Sequence, residues 1–193
     1  MGPKYSVLVA TISERTRDLE GLLFRLSAQL RDVPKDSVEI VWFGDNRQRS
    51  VGAKRNGLLQ LAQGDFLGFV DDDDVVADDY LPRLVSAITA NPHADVIVFD
   101  QTCTIDGGPM IHCRYGVELD YTWDGGAEWF GRPAHTQCWR SSIAKRHPFP
   151  EIQCGEDTDW AWRCSADVRE QVRLDWIGYH YPYITEKSRT RGL

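Results

Sequence analysis

Residues 64–74 read Gly64-Asp65-Phe66-Leu67-Gly68-Phe69-Val70-Asp71-Asp72-Asp73-Asp74, an apolar run that ends in four consecutive aspartates. The run has the length and composition of a buried strand, which places the carboxylates where that strand leaves the core. Four like charges side by side repel one another. A hard divalent cation such as Mg²⁺ or Mn²⁺ relieves that repulsion, because it prefers oxygen ligands and bridges them to phosphates. A solvated acidic turn leading into a helix near Asp78 or Asp79 reads the same residues without a ligand, so the flanking sequence has to decide.

Outward from this strand, helical and strand patterns alternate. Residues 5–10 (YSVLVA) form a first strand, and Leu19, Leu22, Leu23, Leu26 and Leu30 share one face of a helix over about 17–30. Residues 38–43 (VEIVWF) are a second strand. A helix over about 52–63 is expected to bury Ala53, Leu58, Leu61 and Ala62. Past the aspartates, Asp78 or Asp79 caps a helix that turns Leu81, Leu84, Val85 and Ile88 inward, with Pro82 tolerated in its first turn. Residues 95–100 (DVIVFD) are a fourth strand. This alternation predicts an α/β fold with a mostly parallel sheet covered on both faces. Ligands of such sheets bind beyond the carboxyl ends of the strands, where Thr11, Asp45 and residues 71–74 all fall. Three segments meeting on one rim favour a site over a solvated turn.

The second half changes character. Residues 110–115 and 135–140 are short strands among loops with Gly107-Gly108 and Gly125-Gly126, and five of the seven tryptophans lie between Trp123 and Trp162. A helix carrying Asp157, Trp160, Ala161 and Arg163 follows, then strands near 173–177 and 179–184. At 193 residues, with no linker or repeat, the sequence suits a single domain. Residues 1–103 form its nucleotide-binding half and 104–193 a smaller acceptor-side and catalytic half. The net charge of −7 disfavours a dedicated nucleic-acid coat. No segment has the length of a membrane span or the look of a signal peptide, and five cysteines without a Cys-x-x-Cys pair suit reduced thiols in a cytoplasmic protein. His112-Cys113 has no second ligand pair for zinc.

The segments SVLVATISER, VEIVWFGDN, GAKRNGLLQLAQGDFLGFVDDDD, TQCWRSSIAKRHPF and GEDTDWAWR, in this order and at this spacing, resemble the GT-A glycosyltransferases, most closely the family 2-like inverting enzymes. The resemblance covers about residues 5–190. It implies a Rossmann-like GT-A domain that moves a sugar from a nucleotide sugar, a UDP-sugar first, to a hydroxyl acceptor. It further implies that Asp71 and Asp73 hold a divalent metal (Mn²⁺ or Mg²⁺) on the diphosphate, with the late His180 as a possible addition. Asp74 matches a further acidic position. Asp72 belongs to the same nucleotide-sugar motif, although alternation in extended chain points it away from its neighbours. Asp45 matches a residue that contacts base or ribose, although the family often has two acids where this chain has Gly44-Asp45. Thr11 and Glu14 match the loop that touches the nucleoside.

Arg55 and Asn56 match the pair that opens the third helix of the family. A guanidinium there suits the phosphate oxygens or the ribose, a reading preferred over a surface ion pair with one of the aspartates. Gly52 allows close approach at that helix start, and Lys54 is expected to face solvent. In the segment Gly155-Glu156-Asp157 the resemblance makes Asp157 the general base, with Glu156 positioning acceptor or loop. His135, Trp139 and Arg163 fall on the acceptor side; an intrahelical pair with Asp159 explains Arg163 equally well. Trp123, Trp129, Trp139, Trp160 and Trp162 offer stacking surfaces, some of them core. A saccharide or glycoconjugate is the acceptor expected by resemblance. A modified base in DNA, met by Lys145-Arg146-His147 with Lys187, Arg189 and Arg191, is the alternative, and a non-catalytic nucleotide-sugar-binding module is the reading from another class.

Overall fold

The computed structural model describes residues 2–123 and 125–185; Lys187, Arg189 and Arg191 lie outside the described residues. Three strands, β1 (Tyr5–Ile12), β2 (Val38–Asp45) and β3 (Phe66–Phe69), run parallel in the order β2-β1-β3. Next to β3 stands β9 (Cys138–Arg140), antiparallel both to β3 and to β5 (Val96–Ile105). A strand from the second half of the sequence is thus inserted between two strands of the first. Along the other edge of β5 runs β10 (Gln171–Tyr183), parallel to it, with β4 (Val75–Val76) antiparallel beyond. Past the end of β9, β6 (Met110–Tyr115) continues on β5 and carries β8 (Glu128–Gly131) and β7 (Thr122–Trp123).

Strand alternation divides the core into two layers. Tyr5, Val7, Val9, Phe66, Ile97 and Phe99 pack under α1 (Thr16–Gln29) and α3 (Tyr80–Ala90). Leu8, Leu67, Phe69, Val96 and Val98 face α2 (Val51–Leu61), α4 (Ser141–Ala144) and α5 (Glu156–Ala166). The expected inward faces hold for Leu22 and Leu26 of α1 and for Leu81, Leu84, Val85 and Ile88 of α3. Each such side chain contributes about 1.5–3 kcal/mol on full burial.

Several elements differ from the sequence reading. Asp79 makes no capping bond at the start of α3; it pairs with Arg83 at 2.6 Å, while Asp78 pairs with Arg25 at 3.1 Å. Residues 173–177 and 179–183 fall on one strand, whose register shifts on β5 between Leu174 and Tyr179, and Ile184 lies past its end. Residues 135–137 precede β9 instead of belonging to it. In α2, Leu61 is exposed, and Lys54 and Arg55 are buried in its place. The start of α2 faces the acidic rim of the sheet, so charge rather than apolar surface turns inward there.

Candidate active site

The strand ends deliver Thr11, Asp45 and the aspartate run to one rim, and the run divides its contacts in three directions. The buried Tyr179 hydroxyl accepts from the Asp71 amide at 3.1 Å and donates to Asp74 Oδ2 at 2.7 Å, pinning both ends of the turn. Asp72 turns towards β1, where it accepts from Thr11 Oγ1 at 2.7 Å and from Arg15 Nη1 at 2.8 Å. Burial pushes the Asp72 carboxyl above the ordinary aspartate range, against the pull of those two donors. Arg15 Nη1 also lies 3.0 Å from Asp73 Oδ1. Tyr179 and Arg15 were not singled out in the sequence. The signal for Arg15 was its place in the ATISER loop, one residue past Glu14.

Asp71 turns the opposite way from Asp72, towards Arg55. The guanidinium of Arg55 donates to Asp71 Oδ1 at 2.9 Å and to Glu156 Oε1 at 2.7 Å, and its Nη2 stands 3.0 Å from His135 Nε2. It is 3% exposed and lies 5.6 Å from the ring centres of both Phe69 and Phe149. Arg55 thus pairs with two carboxylates, and it does so buried instead of at the surface. Burial raises the Glu156 carboxyl above its usual range even with Arg55 beside it.

His135 stands between the two acidic groups. Its Nε2 is 3.6 Å from Asp71 Oδ2 and its Nδ1 is 3.4 Å from Asp157 Oδ2. It reaches this place because β9 is antiparallel: the residues before its first strand position arrive at the carboxyl ends of β1 and β3, and Phe69 N donates to His135 O at 3.1 Å. Glu156 and Asp157 open α5 behind Gly155, whose φ of 82° is open to glycine at little cost. Asp157 Oδ1 accepts from Thr158 N at 2.8 Å, and the side chain stays partly open to solvent.

Other expected residues take different tasks. Lys54 is buried instead of solvent-facing: it donates to Thr11 O at 2.9 Å and lies 3.6 Å from Asp45 Oδ1, and burial lowers its pKa. Asp45 also pairs with Arg49 at 3.3 Å, and the exposed Glu14 pairs with Arg47 at 3.2 Å. The Asn56 carboxamide meets no rim group; it donates to Phe149 O at 2.9 Å and accepts from Phe149 N at 2.7 Å, tying the 149–152 loop to α2. That loop also occupies the start of α2. Gly52 N donates to Ile152 O at 3.4 Å, and a Cβ on Gly52 would sit 1.9 Å from Pro150 O. The close approach that glycine allows here serves the chain itself.

On the acceptor side, Trp139 is fully buried and its indole donates to Ala134 O at 2.8 Å, which makes it core. Trp160 is core too, stacked on Phe149. Trp162 is exposed and stacks on Tyr121, whose ring meets Trp129; Trp123 is exposed on β7. Arg163 pairs with Asp159 one turn earlier and donates to Pro148 O, the intrahelical alternative. His180 stands in register with Val75, and its Nδ1 lies 2.9 Å from Thr102 Oγ1. Of the basic trio, Lys145 donates to Ala62 O, and Arg146 and His147 share Asp167.

The same architecture recurs in solved structures. S. aureus TarS 1-349 in complex with UDP is 20% identical with a TM-score of 0.70, over 97% of this chain and 63% of that one. S. aureus TarS 1-349 in complex with UDP-GlcNAc is 18% identical with a TM-score of 0.65, over 93% and 58%. A further S. aureus TarS structure is 20% identical with a TM-score of 0.69, over 93% of this chain and 36% of that one. The chain thus spans 36% to 63% of the length of these proteins, and the likeness establishes a GT-A fold. No curated protein matches the chain. Residues 26–151, more than half of the sequence, match the model of glycosyl transferase family 2, and the chain belongs to that family.

Proposed function

We propose that the protein is an inverting glycosyltransferase that moves a sugar from a UDP-sugar to a hydroxyl of a saccharide or glycoconjugate, with Asp157 as general base. The observation that carries this reading is the placement of His135, whose two ring nitrogens lie within 3.6 Å of both Asp71 and Asp157. A single imidazole spans the gap between the aspartate run and the late helix, so donor and acceptor groups can share one substrate pair. The recorded UDP and UDP-GlcNAc complexes of structures with this fold support the choice of donor.

In the reaction Asp157 takes the proton from the acceptor hydroxyl while its oxygen bonds to the anomeric carbon. The bond from that carbon to the diphosphate breaks on the opposite side and the nucleoside diphosphate leaves with the electron pair. Among the described residues no three His, Cys, Asp or Glu side chains form a metal cage. Asp71 and Asp73 offer two hard oxygen donors, which is what a Mg²⁺ or Mn²⁺ takes from a protein when phosphates and water supply the rest. A cation held by Asp71 and Asp73 would supply Lewis-acid stabilisation of the leaving diphosphate. Thr11, Asp45 and Lys54 line the side of the rim proposed for the nucleoside.

The test is Asp157→Asn, assayed by UDP released from UDP-GlcNAc with Mn²⁺ and by calorimetric UDP binding. Turnover should fall by about 10²–10⁴-fold with UDP affinity held within about twofold. Turnover that survives the substitution removes Asp157 as base. A parent protein that binds UDP and never turns over a UDP-sugar is a binding module.

A further inference from the structure

His135 carries a finer inference, because its surroundings fix which ring nitrogen holds the hydrogen. A guanidinium nitrogen can only donate. Arg55 Nη2, 3.0 Å from Nε2, therefore makes Nε2 the acceptor and leaves the ring hydrogen on Nδ1. Nδ1 is buried and makes no hydrogen bond, and the polar atom within reach of it is Asp157 Oδ2 at 3.4 Å. The residue is held on the end of β3, with its backbone oxygen accepting from Phe69 N and its ring centre 6.2 Å from that of Phe69. Asp157 has its other oxygen on the Thr158 amide. The backbone amide thus fixes one oxygen of that carboxylate, and the imidazole Nδ1 stands within reach of the other.

We propose that His135 is a positioning residue: its Nδ1–H sets the carboxylate of Asp157, and its Nε2, through Arg55, keys that setting to Asp71 at the donor side. The contact is long for a hydrogen bond, as such contacts are before a site is loaded, and it shortens when donor and acceptor bind. The chain Asp71–Arg55–His135–Asp157 then fixes where the proton acceptor stands relative to the diphosphate, which matters because a misplacement of about 1 Å costs on the order of 10²-fold in rate. The assignment rests on the proposed function only in naming Asp157 the base.

Two measurements test it. Long-range ¹H–¹⁵N spectra of the parent protein at mildly alkaline pH should show His135 with Nδ1 protonated and Nε2 bare; the reverse tautomer overturns the proposal. The second compares His135→Asn, whose amide nitrogen takes the place of Nδ1, with His135→Gln, whose carboxamide reaches towards Nε2. In UDP-GlcNAc turnover, His135→Asn should keep kcat within about fivefold, while His135→Gln should lose about 100-fold, both with UDP affinity within about twofold of the parent. Equal losses, or losses that follow UDP affinity, also overturn it. A parent without turnover on any UDP-sugar sinks the proposed function, and the tautomer then decides this inference alone.

Discussion

Taking the Arg55 guanidinium out of water is costly, and three neighbours offset the cost: Asp71, Glu156 and the lone pair of His135 Nε2. A buried pair of this kind adds little net stability while intact and is expensive to break from one side. Arg55→Met should therefore lose about 3–5 kcal/mol in urea unfolding, because the buried Glu156 and the partly buried Asp71 are left without their counter-charge. Glu156 gives a pH signature. Its raised pKa means that the native state keeps the proton to higher pH than the unfolded chain, so the contribution of this group to stability falls as pH rises through the carboxylate range. Glu156→Gln has no proton to lose, and its Tm relative to the parent should climb between about pH 4 and about pH 7. At this scale charge beside an apolar run made Asp71 and Asp73 residues of interest, and the family resemblance added Glu156 and Asp157, with His135 on the acceptor side. The sequence reading placed Lys54 in solvent and gave Asn56 and Trp139 to ligands. Counting apolar residues around a helix cannot show that the start of α2 faces carboxylates.

Elements with an unbroken apolar run were the ones the sequence could place. β1, β2, β3 and α1 start and stop within two or three residues of expectation, and α3 starts where expected, because their cores are continuous stripes or runs. Two-residue strands such as β4 and β7 carry no period to detect, and β7 is exposed on both residues. The antiparallel setting of β9 was also beyond reach, since three residues do not announce their direction. The join between α2 and the 149–152 loop sets the start of α5, and it depends on the missing side chain at Gly52. Gly52→Ala should push the loop from the helix at a cost of about 1–3 kcal/mol. Thermal unfolding would read that cost. The turnover of UDP-GlcNAc should fall with it, because Glu156 and Asp157 follow the same loop.

For the whole molecule, the sheet separates two apolar layers and brings all its chemistry to one rim, so ligand binding and stability are linked. UDP at about 100 times its Kd should stabilise the fold by about 2.7 kcal/mol, or roughly 5–10 °C in Tm. Mn²⁺ should enlarge that shift for the parent, and Asp73→Asn should lose the Mn²⁺ increment while keeping the response to UDP alone. The sequence reading divides the domain into a nucleotide-binding half and an acceptor half, and the sheet does not divide at that boundary. β9 lies between β3 and β5, and β10 lines the far side of β5, so the later residues complete the sheet of the earlier ones. Severing the polypeptide at the tight turn of Asp106 and Gly107 would hand Arg55 and Asp71 to one fragment and His135, Glu156 and Asp157 to the other. Neither fragment owns an uninterrupted sheet, and complementation between them requires one to thread a strand through the middle of its mate.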